Sequence, residues 1–322
     1  MFLGIQGGLS SPILFIITTL IWGSTWLAIK GQLGVVSPTA SVAYRFAMAA
    51  VISLAFCWKR GVSLRFPWRV HLALAGQGAC LFSLNCVCVY IAEQYVSSGV
   101  VAILFSLQAG LNVLGAYLLF RMPLKARAVL GAMLGIAGVT LIFFPEFGAM
   151  NQNPQMLMGL GAGALGVLFA CSGNMLVIHL QRAKVPVFSG AVWGMVYGAL
   201  TSVLAGVVMG VEWAVDLGPV YLLSMLYLSV FGTIVAFLCY STLLKREGPG
   251  PASYVNVLTP VVALLLSTLF ENYHWTALAA LGAALVFVGN FLAMRKGGRG
   301  GRGKIPKLHP TAPAAAPPPS SP

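Results

Sequence analysis

The chain has 322 residues, of which 59% are hydrophobic and 8% charged, with a mean hydropathy of +0.90. Soluble globular domains carry about 25% charged residues, so the composition excludes one and points to a polytopic membrane protein. The net charge of +13 resembles a nucleic-acid signal only until the basic residues are placed along the apolar spans, and no nucleic-acid partner is expected.

Apolar runs long enough to cross roughly 30 Å of hydrocarbon predict ten spans, at 12–31, 38–58, 70–91, 97–120, 127–144, 157–180, 186–210, 218–244, 250–270 and 275–294. All of the 19 Lys and Arg residues except Lys30 and Arg45 then fall on one side. By the positive-inside rule that side is cytoplasmic and holds both termini. Glu93, Glu146, Glu212, Asp216 and Glu271 fall on the other side, which agrees but carries little weight in that rule.

The first span follows Ser10-Ser11-Pro12. Neither a preceding basic residue nor a small-residue cleavage site marks it as a signal peptide. Trp22, Thr25, Trp26 and Ile29 share one helical face. An indole N–H at mid-depth needs a partner or a watery cavity, so Trp22 and Thr25 either line a cavity or pack between helices. The second span opens at Ser37-Pro38 and carries Arg45, the one basic residue placed inside the hydrocarbon. Its guanidinium either holds an outer gate, through helix-end carbonyls or Glu93, or grips a substrate carboxylate in a bidentate fork.

Gln77 and Asn85 lie in the third span, and Gln108 and Asn112 form an i, i+4 pair in the fourth. Amides at membrane depth serve as glue between helices or as ligands for a substrate, and both readings stand. The fifth and sixth spans are glycine-rich, which allows close helix contact and leaves room for a homo-oligomer. The sixth also holds Ser172, Asn174 and His179, the last read as an interfacial side chain. Trp193 and Tyr197 lie in the seventh, Tyr227 and Tyr240 in the eighth. In the ninth, Pro260 cannot donate to Asn256, which predicts a helix broken at depth where it lines a cavity. Asn256, Thr259, Pro260 and Ala263 would form the strip equivalent to Phe105, Gln108, Ala109 and Asn112.

Beyond Met294 the chain turns basic and then Pro/Ala-rich, a composition that predicts disorder and suits contact with anionic membrane lipids. Gly298 to Lys304 has P-loop spacing, but Ile305 stands where Ser or Thr is required, so no ATP site is implied. The six cysteines all lie in spans and read as buried side chains. Cys86 and Cys88 cannot face one way on a helix, and no metal or cofactor is expected.

One stretch organises the whole. Gly99 to Leu141 recurs without a gap as Gly250 to Leu292: Gly99 maps to Gly250, Leu107 to Leu258, Gly131 to Gly282, Gly138 to Gly289. Upstream, Ser24 falls on Ser172 and Pro38 on Pro186. The connector Arg121, Lys125, Arg127 maps to Asn272, Thr276, Leu278, so equivalent loops differ in charge as loops on opposite sides of a bilayer do. Five spans per half is an odd number, so the second half enters from the opposite side. The expected fold is an all-α membrane protein of ten transmembrane helices in two inverted five-helix repeats. Residues 1–10 form a short N-terminus, 11–148 the first repeat, 149–156 an outer linker, 157–295 the second repeat and 296–322 the tail.

Trp22-Gly23-Ser24, Arg45-Phe46, and Pro260 followed by Glu271 ahead of a glycine-spaced last helix resemble the EamA-type exporters of the drug/metabolite transporter superfamily, over about residues 11–295. The first half departs from the pattern, with Ala109 and a Phe120-Arg121 end. The resemblance implies export of small metabolites such as amino acids, although relatives carry nucleotide sugars and sugar phosphates. Anionic cargo would need several basic groups in the cavity and the chain offers one or two, so small neutral, zwitterionic or amphipathic molecules are expected.

The candidate substrate-binding set is Trp22, Thr25, Arg45, Asn85, Gln108, Asn112, Ser172, Asn256 and Pro260. With no Asp or Glu in the core of a span, an intramembrane enzyme is not expected, and a channel would need charged rings or a filter loop. A non-transporting scaffold or lipid-binding protein is the alternative. Proton coupling would have to use Glu93, Glu271 or His179 and is not favoured. A bacterial inner membrane is the expected location.

Overall fold

A computed structural model describes residues 9–124, 126–149, 154–247, 249–273 and 275–294. The expected tail at 296–322 lies outside the described residues, as do residues 1–8 and the middle of the expected linker. The regular structure among the described residues is all helical, with no strand. Among the described residues seven helices are long and apolar enough to cross a membrane: α1 Ser11–Lys30, α2 Pro38–Arg60, α3 Trp68–Tyr95, α4 Ser98–Phe120, α6 Pro154–Arg182, α7 Val187–Val208 and α8 Pro219–Glu247. Shorter apolar stretches fill α5 Ala126–Ala149, α9 Pro249–Phe270 and α10 Ala277–Met294. Large apolar side chains on these helices, among them Leu118, Leu119, Val208, Leu269 and Phe270, are exposed. That is the surface expected of a multi-pass protein in lipid rather than water.

Local chemistry sets the helix ends. The Ser37 hydroxyl accepts the Ala40 amide at 3.2 Å, with Pro38 in the first turn, and Gly61 closes α2 in the left-handed region at φ 62°. Such caps satisfy end groups that the helix cannot. Basic residues gather at one end of the bundle. There Arg182 lies 4.4 Å over the Phe120 ring, Arg246 donates to the Leu9 carbonyl at 2.6 Å, and Trp193 donates to the Leu64 carbonyl at 2.9 Å. We refer to this as the basic end.

Features of the first half recur in the second. α3 contains a π-helical stretch at Cys80–Leu84 and α8 one at Tyr227–Val235. The left-handed residue Arg121 that ends α4 has its counterpart in Asn272 just past α9, both at φ 53°, and Gly61 has one in Gly210. The α5–α10 contact is the tightest of these. A Cβ on Gly138 would lie 2.4 Å from the Gly282 carbonyl oxygen, and one on Gly289 would lie 2.5 Å from that of Gly131. Since Gly131 corresponds to Gly282 and Gly138 to Gly289, one contact is the image of the other. Helix pairing follows the same rule: α1 packs on α8 and α9, while α6 packs on α3 and α4.

One expectation about local structure is corrected. α9 runs unbroken through Pro260. The interruption falls instead in α4, at Ser106 and Leu107, where the amides of both bond three residues back and the Ser106 hydroxyl takes the Ile103 carbonyl. A serine that competes for backbone carbonyls in this way loosens a helix. Pro260 is tolerated because Asn256, whose carbonyl loses its donor, lines the cavity described below. Two apolar clusters make up most of the core, one built mainly on α1, α2, α3, α7 and α8 and the other around α4, α6, α9 and α10. Trp26 and Phe105, 5.1 Å apart, pack against both.

Candidate functional site

Between the two halves lies a cavity of about 520 Å³, lined from both. Of the candidate residues, Trp22, Thr25, Arg45, Asn85, Gln108, Asn112, Asn256 and Pro260 line it. Ser172 does not: it is exposed, and its hydroxyl bonds the Leu168 carbonyl at 2.9 Å. The lining face of α6 is set by Asn174, Val177 and Gln181. Position 172 is two residues from Asn174 and so points to the far side of the helix.

The cavity is polar at chosen points and apolar between them. The Trp22 indole donates to the Gly232 carbonyl at 3.2 Å, a carbonyl inside the π stretch of α8, where the usual helix bonding is displaced. Trp22 also packs on Tyr240 at 5.2 Å and on Phe237 at 5.6 Å, and Phe82 bridges Phe237 and Phe46. The Asn174 amide lies 3.4 Å from the Asn112 carbonyl oxygen, tying α6 to α4. Thus part of the amide set joins helices while the same side chains face the cavity.

Arg45 is buried. Its Nη2 reaches the Thr233 hydroxyl at 3.5 Å, its guanidinium lies 5.0 Å over the Phe46 ring, and Ser229 fixes its backbone carbonyl at 3.1 Å. Its Nε and the Oε1 of Gln77, both on lining residues, are buried without a hydrogen-bond partner. Buried polar groups are nearly always satisfied, and these two are exceptions.

The ends of the cavity differ. Exposed Gln181 and Pro186 line it at the basic end, which makes that end its mouth. At the other end Ile29, Val89 and Ala102 are buried, and a polar latch lies beyond them. Lys30 pairs with Glu271 at 3.6 Å and donates to the carbonyls of Glu93 and Val96, at 2.5 and 2.9 Å. The Ser98 amide donates to both Glu271 carboxylate oxygens at 3.2 Å, and the Ser98 hydroxyl donates to Oε2. One lysine and one glutamate therefore bind α1, α3, α4 and the end of α9 together. Of the two readings of Arg45, the gate through Glu93 is not the arrangement found, since Lys30 holds this end and Arg45 bonds Thr233 and lines the cavity. Lys30 was legible as the exception to the one-sided placement of basic residues.

Sequence reasoning also passed over the aromatic walls of Phe82 and Phe237. Phe82 lies inside the π stretch of α3 and Phe237 two residues past that of α8, and hydrophobic spacing read at the ordinary helical period does not register such stretches.

The profile of the EamA-like transporter family matches the chain at residues 9–144 and again at 157–295. The chain is 25% identical to Protein PagO of Salmonella typhimurium over 88% of its own length and 93% of that protein. It is 29% identical to the uncharacterized inner membrane transporter YedA of Escherichia coli, over 84% and 87% respectively. A crystal structure with 21% identity superposes with a TM-score of 0.64, covering 88% of this chain and 96% of that one, a likeness of fold. With the profile covering both halves around a shared cavity, the chain belongs to the EamA-like transporter family and is a multi-pass membrane transporter.

Proposed function

We propose that the protein is a secondary transporter that exports small neutral, zwitterionic or amphipathic metabolites, amino acids among them, by alternating access. In this reading residues 11–148 and 157–295 are two inverted repeats of five transmembrane helices, the basic end faces the cytoplasm, and the structure is the inward-open state. The recurring π stretches, the mirrored glycine contacts of α5 and α10 and the twofold profile match support the repeat. The charge distribution supports the orientation, and the name of the Escherichia coli relative favours a bacterial inner membrane.

The observation that carries the proposal is one cavity, lined from both halves, open at one end and latched at the other. Inverted repeats permit the two to exchange roles around a midplane site. A volume of about 520 Å³ suits a small metabolite. One buried guanidinium, several amides and an aromatic wall favour a solute with a single carboxylate and an apolar part over a multiply charged anion.

Liposomes carrying the purified protein and loaded with radiolabelled amino acids, nucleosides or amphipathic cations test this. Release of at least one class faster than from protein-free liposomes is expected. Equal release for all of them would contradict the proposal and favour a scaffold role.

A further inference from the structure

The walls of the cavity carry different chemistry. On the side made by α1 and α8, the half-buried rings of Trp22, Phe237 and Tyr240 pack together, and buried Phe82 backs Phe237. The side made by α3, α4 and α6 carries Asn85, Gln108, Asn112 and Asn174 instead. In the register that sets Ser24 on Ser172, Trp26 falls on Asn174. Corresponding lining positions of the two halves thus hold an indole in one and an amide in the other.

Each wall selects a different feature of a solute. Aromatic side chains take planar rings by stacking, whatever atoms the ring contains. A primary amide presents two donors and two lone pairs, and the 3.4 Å bond from Asn174 to Asn112 uses one donor and one lone pair of that supply. The adjacent donor and acceptor of an Asn or Gln side chain match the paired polar atoms along the edge of a nucleobase. Two more lining atoms are buried and unpaired, the Nε donor of Arg45 and the Oε1 acceptor of Gln77. Gln77 adjoins the ring wall: a Cβ on Gly194 would lie 2.6 Å from Phe82 Cε2 and 3.4 Å from Gln77 Nε2. Charge narrows the cargo further. Among the described lining residues there is no Asp or Glu, and Arg45 is the one cation. Neither a cationic solute nor a polyanion finds its counter-charges here, whereas neutral polar edges find amides.

We propose that the cargo is a planar nitrogen heterocycle with hydrogen-bond donors and acceptors along its edge and at most one negative charge, such as the base of a nucleoside, stacked on the aromatic wall with that edge toward the amides. The inference rests on the reading above that this cavity carries the transported solute, and it narrows the neutral class named there. A volume of about 520 Å³ falls in the range of sites for molecules of this size.

Inosine and purine riboside test the proposal, because they share ring and sugar while purine riboside lacks the ring N–H and carbonyl of inosine. Full-length protein in lipid nanodiscs would be titrated with tritiated inosine, with unlabelled purine riboside as competitor. The unmodified protein is expected to bind inosine about tenfold more tightly, since a site built to hydrogen-bond a polar edge rejects the analogue that lacks it. Asn112→Leu and Asn174→Leu, made together so that neither amide is left unpaired, should bring the ratio close to one by weakening inosine. Tyr240→Leu should weaken both nucleosides alike and leave the ratio in place.

No binding of either nucleoside, or equal binding of both by the unmodified protein, would overturn the proposal. So would a ratio unchanged in the double variant, or a Tyr240→Leu protein that binds both as before. The liposome assay separates this failure from failure of the transporter reading. Release of amino acids or amphipathic cations without nucleoside binding overturns the heterocycle cargo alone, whereas release of no class overturns both. The inosine to purine riboside ratio of the unmodified protein decides even if the variants fail to fold.

Discussion

The two ends of the cavity are built from corresponding parts of the chain, yet they are fastened differently. At the closed end Glu271 pairs with Lys30 and takes hydrogen bonds from Ser98. The position corresponding to Glu271 in the first half is Phe120, and it meets Arg182 through a cation–π contact of 4.4 Å. Hydrogen bonds to charged groups contribute about 1.5–3 kcal/mol each, and an exposed cation–π contact about 0.5–1 kcal/mol. The backbone features, π stretches, left-handed caps and glycine contacts, recur in both halves and favour neither end. Under the alternating-access proposal, a few side chains at the ends rather than the scaffold would then decide which state is adopted.

The largest expected effect follows from removing the stronger fastening. Glu271→Gln should raise the open-to-closed ratio of the latched end by about ten- to a hundredfold, the equivalent of one charge-assisted bond. Thiol labelling at Ser97→Cys, where the native hydroxyl is buried beside Ser98, would measure it. No change would mean that apolar packing, and not the latch, holds that end shut.

Arg45→Ala comes next. It should weaken binding of carboxylate-bearing solutes by about tenfold or more while sparing uncharged analogues, read by competition in the liposome assay. Arg45→Lys keeps the charge but loses the fork and should fall between. Equal losses for both solute classes would assign Arg45 to structure alone.

A smaller shift is expected at the other end. Phe120→Leu removes only the cation–π contact and should change the balance by about two- to fivefold, visible in the labelling of a cysteine at Gln181. Ser172→Ala is the smallest. With its hydroxyl exposed and bonded only to its own helix, it should alter stability by less than about 0.5 kcal/mol and leave flux unchanged. A large effect would mean that Ser172 reaches the cavity in the other state.

Much of the fold was legible because lipid imposes a simple length and hydropathy rule, and the charges mark the two ends. The candidate cavity residues were found where a polar group at mid-depth repeats at helical spacing, as Gln108 and Asn112 do. Ser172 failed because it was placed by alignment to Ser24, and alignment fixes a position in the chain without fixing which face of the helix it occupies. Pro260 predicted a break, but α9 continues with Asn256, whose carbonyl loses its donor, on the cavity wall, and the actual break in α4 falls where the Ser106 hydroxyl takes a carbonyl three residues back. Lys30 was visible as an exception, but its role needed the fold that brings Glu271 beside it.

The central claim is that the two ends open reciprocally around one cavity. Double electron–electron resonance tests it most directly, with spin labels at Gln94 and Thr276 across the latched end and, in a second sample, at Lys184 and Lys245 across the basic end. Introducing Glu271→Gln should lengthen the first distance and shorten the second, with the two populations changing together. A longer first distance with the second unchanged would contradict alternating access.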